Sequence, residues 1–265
     1  MDPDLEHKIL NFIKGRSHEN GGYTLYEGIP DSKNTYYAIK SFQLLGREPW
    51  NLKKTLNWLE DIHKRGSFTA QGLFYRSSIL KEYNRNYEIP EKFIERLKKT
   101  YRRSKLEITY YIDFVLRTHN IVLDEIADWI ISQQNPDGGF GKYGSDIINT
   151  QYALEILKAH KRKPKKNIKD YIKDCESNGL WSFTPLSYPP YIETVYSGLR
   201  ISQILNLNVN DKKILEFVLS LQNGDGGFKR STYLGISELE YTYKALYIIK
   251  SLNGEINPHL KGGGG

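Results

Sequence analysis

One feature limits what this chain can fold into more than any other: a turn motif that repeats along it. Residues 132–140, SQQNPDGGF, and 220–228, SLQNGDGGF, agree at seven of nine positions and lie 88 residues apart. That spacing holds either one long repeat or two of about 44, and the midpoint decides, because 178–183 reads NGLWSF. Earlier, 20–23 reads NGGY and 65–68 reads RGSF, so Gly-aromatic marks fall near 21, 66, 138, 179 and 226. At 100–104 the stretch TYRRS stands in the expected place without a glycine. Six units of roughly 35–47 residues signal a repeat architecture, in which each unit buries its apolar face against its neighbours.

A second register runs alongside the first. Each turn is followed by an apolar, aromatic segment: 34–45, 73–80, 108–116, 149–157, 193–201 and 241–249. Aligned, these place Thr35, Thr109, Thr150, Thr194 and Thr242 in one column, with Leu73 the exception. Two residues on stand Tyr37, Tyr75, Tyr111, Tyr152 and Tyr196, with Lys244 the exception. These segments are apolar or aromatic on most sides, so they read as helices buried on more than one face.

Between them lie six stretches with one apolar stripe and one charged face. Leu5, Ile9, Phe12 and Ile13 form the first, started by Asp2 as N-cap and Pro3 as first helical residue. The others run through 52–62, 93–97, 122–131, 168–175 and 211–221, and no alternating strand pattern stands out. A helix with a wet face packs outside one without, so the expected fold is all-α. It is a two-layer assembly of six helical hairpins, six inner and six outer helices, in one domain over 1–261. The last inner segment has no stripe after it and the first is preceded by one, so the N-terminal helix is expected to close the ring. The glycines supply positive φ at the crossings, and the aromatic after them plugs the space between layers. The final Gly262–Gly265 reads as a flexible tail or an appended scar.

Composition removes several classes. No run of about 18 apolar residues is present, so no transmembrane helix is expected. The start, MDPDLEHKIL, lacks the basic-then-apolar order of a signal peptide, which makes a cytoplasmic location the default expectation. Cys175 alone allows no internal disulfide and no multi-cysteine metal site. The histidines form no paired metal spacing, and 158–166, KAHKRKPKK, reads as an exposed linker. The net charge of +7 admits an anionic partner without choosing one, and no specific nucleic-acid motif accompanies it.

The QNPDGGF and QNGDGGF turns, with Asp-x-x-Asn-Thr-x-Tyr-Ala at 146–153 and 31–38, resemble the prenyltransferase and squalene-cyclase repeat proteins. That resemblance implies an α/α toroid whose central cavity is lined by aromatics and accepts isoprenoid chains. It specifies fold rather than reaction. In protein prenyltransferases the resemblance implies a zinc held by an Asp, a Cys two residues on, and a His in the last repeat, and a separate α subunit. Here Asp146 matches the first, but Ile148 stands at the Cys position and Tyr241 at the His position. A zinc site needs three or four suitable ligands, so no metal is expected. Magnesium would enter only with a diphosphate substrate. In class II terpene cyclases the resemblance implies Asp-x-Asp-Asp-Thr with the middle Asp as proton donor. Glu238, Glu240 and Thr242 fall on its first, middle and Thr positions, while Tyr241 replaces the last acid.

On the residues themselves, Glu240 is the candidate general acid, since an apolar cavity disfavours its charged form and raises its pKa. Glu238 would help hold the proton. Asp113 stands in an otherwise apolar column and needs a partner, with Arg76 and Lys244 the candidates. Arg102, Arg103 and Lys105 lead the third inner segment and would grip a diphosphate. Tyr37, Tyr75, Tyr111, Tyr152 and Tyr196 would line the cavity, where ring faces can stabilise carbocations. Tyr241 is a further candidate for substrate contact, and Asn34, Asn149 and Glu193 would ring the cavity mouth. Asp146 reads either there or, with Asp31, as a helix cap. The expected function is an isoprenoid-handling enzyme, zinc-independent, catalysing cyclisation or prenyl transfer. The alternative is a non-catalytic toroid that holds a lipid or peptide. A saccharide enzyme on an α/α barrel fits the Asp-Gly-Gly-Phe turns less well.

Overall fold

The computed structural model describes residues 1–256, apart from 67, 86 and 234. The tail at 262–265 and His259 lie outside the described residues. Twelve α-helices occur among the described residues, in the predicted alternation. The outer series is α1 (Pro3–Gly15), α3 (Leu52–Arg65), α5 (Glu91–Thr100), α7 (Asp124–Ser132), α9 (Lys169–Asp174) and α11 (Asp211–Leu219). The inner series is α2 (Ser32–Leu44), α4 (Ala70–Glu82), α6 (Leu106–Thr118), α8 (Ile147–Ala159), α10 (Ile192–Leu205) and α12 (Leu239–Leu252). The departures from an all-helical reading among the described residues are small: Glu176–Ser177 pairs antiparallel with Leu180–Trp181 around the NGLW turn, and single antiparallel bridges such as Gln134 with Phe140 close other turns.

The chain divides into two compact units, one of residues 1–90 with 218–265 and one of residues 91–217. In the first unit α12, α2 and α4 pack side by side in that order. In the second, α6, α8 and α10 do the same. Outer helices rest on inner ones, α3 on α4, α5 on α6 and α7 on α8. The inner helices of the second unit run parallel and in register. Arg200 Nε meets Glu155 Oε1 at 2.9 Å, and Ser197 Oγ donates to Gln151 Oε1 at 3.3 Å, matching α10 to α8 turn for turn.

The threonine column explains how each turn is fixed to its helix. Thr150 Oγ1 accepts from the Phe140 N–H at 3.0 Å and donates to the Asp146 carbonyl at 2.7 Å. Thr35 accepts from Tyr23 N–H and Thr242 from Phe228 N–H, at 2.9 and 3.1 Å. Thr109 and Thr194 donate to the carbonyls of Tyr101 and Trp181. Tyr101, 5% exposed, therefore takes the plugging place in the unit that lacks a glycine. All five threonines are buried, so each hydroxyl satisfies backbone groups that water cannot reach.

The N-terminal helix docks on the turn that leads into α12, as its place in the sequence predicts. Gly226 takes φ +90°, and a Cβ there would stand 2.3 Å from the Lys8 carbonyl oxygen of α1. A Cβ at Gly227 would stand 2.7 Å from the Phe12 ring. Asp2 caps α1 by accepting from the Asp4 N–H at 2.9 Å, with Pro3 at the first helical position.

Candidate functional site

In the first unit, α2 and α12 bring three charges together where the sequence reading named only one. Glu240 Oε2 lies 2.5 Å from Lys33 Nζ, and its Oε1 lies 2.6 Å from Lys244 Nζ. Burial alone would raise the Glu240 pKa. The two lysines outweigh it, Lys244 first, and hold the carboxyl down at about 2. This corrects the expectation of a raised, protonated Glu240: the group is ionised at neutral pH and cannot donate a proton there. Lys244 is spent on Glu240 and is not the partner of Asp113. Glu238 is the N-cap residue of α12, and its carbonyl accepts from Thr242.

Below that cluster the same helices carry a continuous layer of rings. Tyr36 stacks against Tyr37, Phe74 and Tyr75 at 5.2–5.5 Å between centroids. Tyr37 meets Tyr75 at 5.9 Å and Tyr243 at 5.5 Å, and Tyr243 meets Tyr247 at 6.4 Å. Tyr37 and Tyr75 are buried, so they form the packing side of this layer. Tyr36 and Tyr243, one residue after the threonine, are half-buried, and Tyr36 also packs against the core of Ile39, Leu56, Leu59, Ile79 and Leu80. One helical residue is a rotation of about 100°, so these two point away from the column first chosen.

In the second unit, Glu107 Oε1 accepts from the Tyr111 hydroxyl at 2.8 Å and from the Tyr152 hydroxyl at 3.4 Å. The Tyr110 ring lies 5.3 Å from that of Tyr152, and burial pushes its phenol pKa up. Tyr111 is buried, whereas Tyr152 and Tyr196 are half-buried. Arg200 and Glu155 form an ion pair nearby, 9% and 11% exposed. Sequence reasoning missed Glu107, Glu155 and Arg200. Glu107 stood two before its threonine, the register that singled out Glu240.

Asp113 has its partners within its own unit, and they are not those expected. Its carboxylate takes Arg117 Nε at 2.8 Å and His160 Nε2 at 2.7 Å, with Asp113 1% exposed. The bond to Asp113 raises the His160 pKa against the lowering effect of burial. Asp113 thus ties α6 to the end of α8. His160 is buried rather than part of an exposed linker. Arg76 is 3% exposed, its guanidinium folded back over Gly72. Burial lowers its pKa.

The remaining candidates are accounted for locally. Asp146 Oδ1 accepts from the Asn149 N–H at 2.8 Å while its Oδ2 takes the Asn149 amide at 2.5 Å. Asp31 and Asn34 repeat the pair at 2.8 and 2.6 Å. Asp146 and Asp31 thus cap α8 and α2 with the two asparagines as their partners, and burial raises the Asp146 pKa. Arg102, Arg103 and Lys105 are exposed, and Arg102 Nε donates to the Tyr101 hydroxyl at 2.9 Å. Tyr241 is half-buried at the start of α12.

Zinc chemistry does not fit this donor set. Asp146 is engaged by Asn149, and Ile148 and Tyr241 offer no comparable ligands. Cys175 is buried by α9, and burial pushes its thiol up to about 11, so it is not a ready thiolate. Among the described residues no group of three or more His, Cys, Asp or Glu is placed to hold a metal. No helix among them is long and apolar enough to cross a membrane.

With that geometry in place, comparison with known proteins adds the following. The family model of the prenyltransferase alpha-alpha toroid domain matches residues 1–146 and 147–261. Among solved structures, Candida albicans protein geranylgeranyltransferase-I complexed with GGPP is similar at a TM-score of 0.65 and 14% identity. The match covers 96% of this chain and 94% of that one. At that identity the likeness is one of fold. No curated protein matches.

Proposed function

The chain belongs to the prenyltransferase alpha-alpha toroid domain family, and from that premise we propose that it handles an isoprenoid diphosphate without zinc. The observation that carries this reading is the pairing of two features on α2, α4 and α12. One is the ring layer from Tyr36 to Tyr247. The other is Lys33 and Lys244 around Glu240. A prenyl chain is apolar and unsaturated, and suits the half-buried Tyr36 and Tyr243 faces. An ammonium has three N–H donors. Phosphate oxygens accept from ammonium groups of this kind, and both lysines stand at Glu240.

Prenyl transfer is preferred over proton-initiated cyclisation, because the carboxyl at the acid position is held ionised. Transfer would start with departure of the diphosphate, whose charge the lysines, and magnesium if it accompanies the substrate, would neutralise. The resulting cation would lie against the tyrosine faces. In this reading the protein works in the cytoplasm. It would do so with a protein partner of the kind the α subunit provides in the resembled enzymes.

A second reading has its own support. Glu240, Asp113 and Asp146 all serve ion pairs or caps, which suits a non-catalytic toroid that only holds a lipid or peptide. Incubation with farnesyl and geranylgeranyl diphosphate, with and without magnesium, separates the two when released pyrophosphate is measured. Turnover that resists chelation of zinc and survives in Glu240→Gln supports transfer. Ligand-induced stabilisation with no turnover supports the binding reading. Neither effect with any prenyl diphosphate removes both.

A further inference from the structure

The loops that lead into the inner helices of the second unit carry apolar side chains that the fold leaves in water. Tyr143 is 95% exposed, Leu186 103%, Tyr188 76% and Phe183 44%. These residues share one end of the unit. The inner helices α6, α8 and α10 run parallel and in register, so the loops before them emerge together. The Ile147 N–H at the head of α8 bonds to the Phe183 carbonyl at 3.0 Å, which fixes the 183–191 loop beside the 141–146 loop. Leu186 sits at φ +63°, a region that disfavours non-glycine residues. The backbone is therefore under strain while it holds a leucine fully in solvent, and a folded protein gains nothing from that arrangement alone.

The exposed charges on the loops before α6 and α8 are mainly basic. Arg102, Arg103, Lys105 and Lys142 are all exposed. Lys142 Nζ lies 5.4 Å from the Tyr143 ring centre. Among the described residues of these loops, Asp137 and Glu176 are exposed acids, and the Asp137 Oδ1 is occupied by the Gly139 N–H and the Ser145 hydroxyl. Tyrosine and leucine tips set among arginine and lysine are the chemistry of an interfacial contact: apolar groups enter the headgroup boundary while cations meet anionic lipids.

We propose that this end of the second unit is a docking surface for an anionic phospholipid membrane, which the protein meets from one side without crossing it. The proposal stands apart from the isoprenoid reading, because it rests on loops of one unit and needs no prenyl ligand.

The test is co-sedimentation of the full chain with vesicles that contain no isoprenoid. Phosphatidylcholine vesicles with about a third phosphatidylserine are compared with phosphatidylcholine alone, at low and raised salt. The wild type should pellet with the anionic vesicles, and salt should weaken the binding as it screens the cations. Tyr143→Ser with Leu186→Ser and Tyr188→Ser should reduce binding by on the order of tenfold, as should Arg102→Ala with Arg103→Ala and Lys142→Ala. Lys163→Ala with Lys165→Ala, exposed cations beyond the other end of α8, should leave it unchanged. All replaced groups are exposed, and an unaltered melting temperature confirms the fold of each variant. The proposal is overturned if the wild type stays in the supernatant, if the two loop variants bind like the wild type, or if the Lys163–Lys165 variant loses as much. Capture by a protein in place of vesicles has the same meaning.

Discussion

At the scale of single residues, the repeated threonine does structural work that its recurrence alone did not explain. The Thr150 hydroxyl both receives the Phe140 N–H and donates to the Asp146 carbonyl. Thr150→Val keeps the shape and removes the hydroxyl, leaving a buried N–H without a partner. It should destabilise the fold by about 1–3 kcal/mol in denaturant unfolding, with Thr150→Ser losing less. Glu240 makes the opposite point, because its register was legible and its state was not. Lys33 comes from the far end of the sequence, and nothing local announces that it will meet Glu240. Since the folded pKa lies near 2, below the ordinary carboxylate value, the pair stabilises the protein above that ordinary value. The contribution fades as pH falls from about 4.5 through 2. Glu240→Gln should therefore cost on the order of 2 kcal/mol at pH 7, with the gap to wild type closing in acid unfolding curves.

At the scale of elements, helix type and order were legible because two independent signals, a Gly-aromatic turn and a buried Thr-led segment, coincide in four of the six repeats, and one of them marks each of the other two. The glycine-free turn at Tyr101 was legible only as a gap, and the Thr109 bond to its carbonyl fills it. Side-chain partners between elements were not legible. Asp113 called for a cation, and the sequence reading named Arg76 and Lys244 for it. Its partners are Arg117, one turn on in α6 itself, and His160, which the packing of α6 against α8 brings in. This tie has a pH signature. A raised His160 pKa gives stability that is full below the ordinary histidine value of about 6.5 and is lost as pH rises through the folded value. Asp113→Asn should cost on the order of 3 kcal/mol at pH 6. Urea unfolding at pH 9 should show a smaller difference from wild type, with the Arg117 bond as the remainder.

At the scale of the whole molecule, both ends of the chain fall in one compact unit, where α1 and the turn before α12 touch. That α1 meets the turn before α12 was legible from the count of outer and inner segments. The tightness of the contact, which admits no Cβ at Gly226, required coordinates. Gly226→Ala should weaken the fold by several kcal/mol, because the new methyl group meets the α1 backbone and φ is positive. We propose that residues 1–261 behave as one domain, and calorimetry of that variant should show a single transition shifted down, not one of two transitions moving alone. The central claim concerns what the ring layer and its lysines hold. Isothermal titration of the full chain with farnesyl diphosphate tests it most directly. The account predicts saturable binding at one site, weakened on the order of tenfold by Tyr36→Ala with Tyr243→Ala, and much weaker binding of inorganic pyrophosphate. No binding of farnesyl diphosphate, or binding no tighter than that of pyrophosphate, would contradict it.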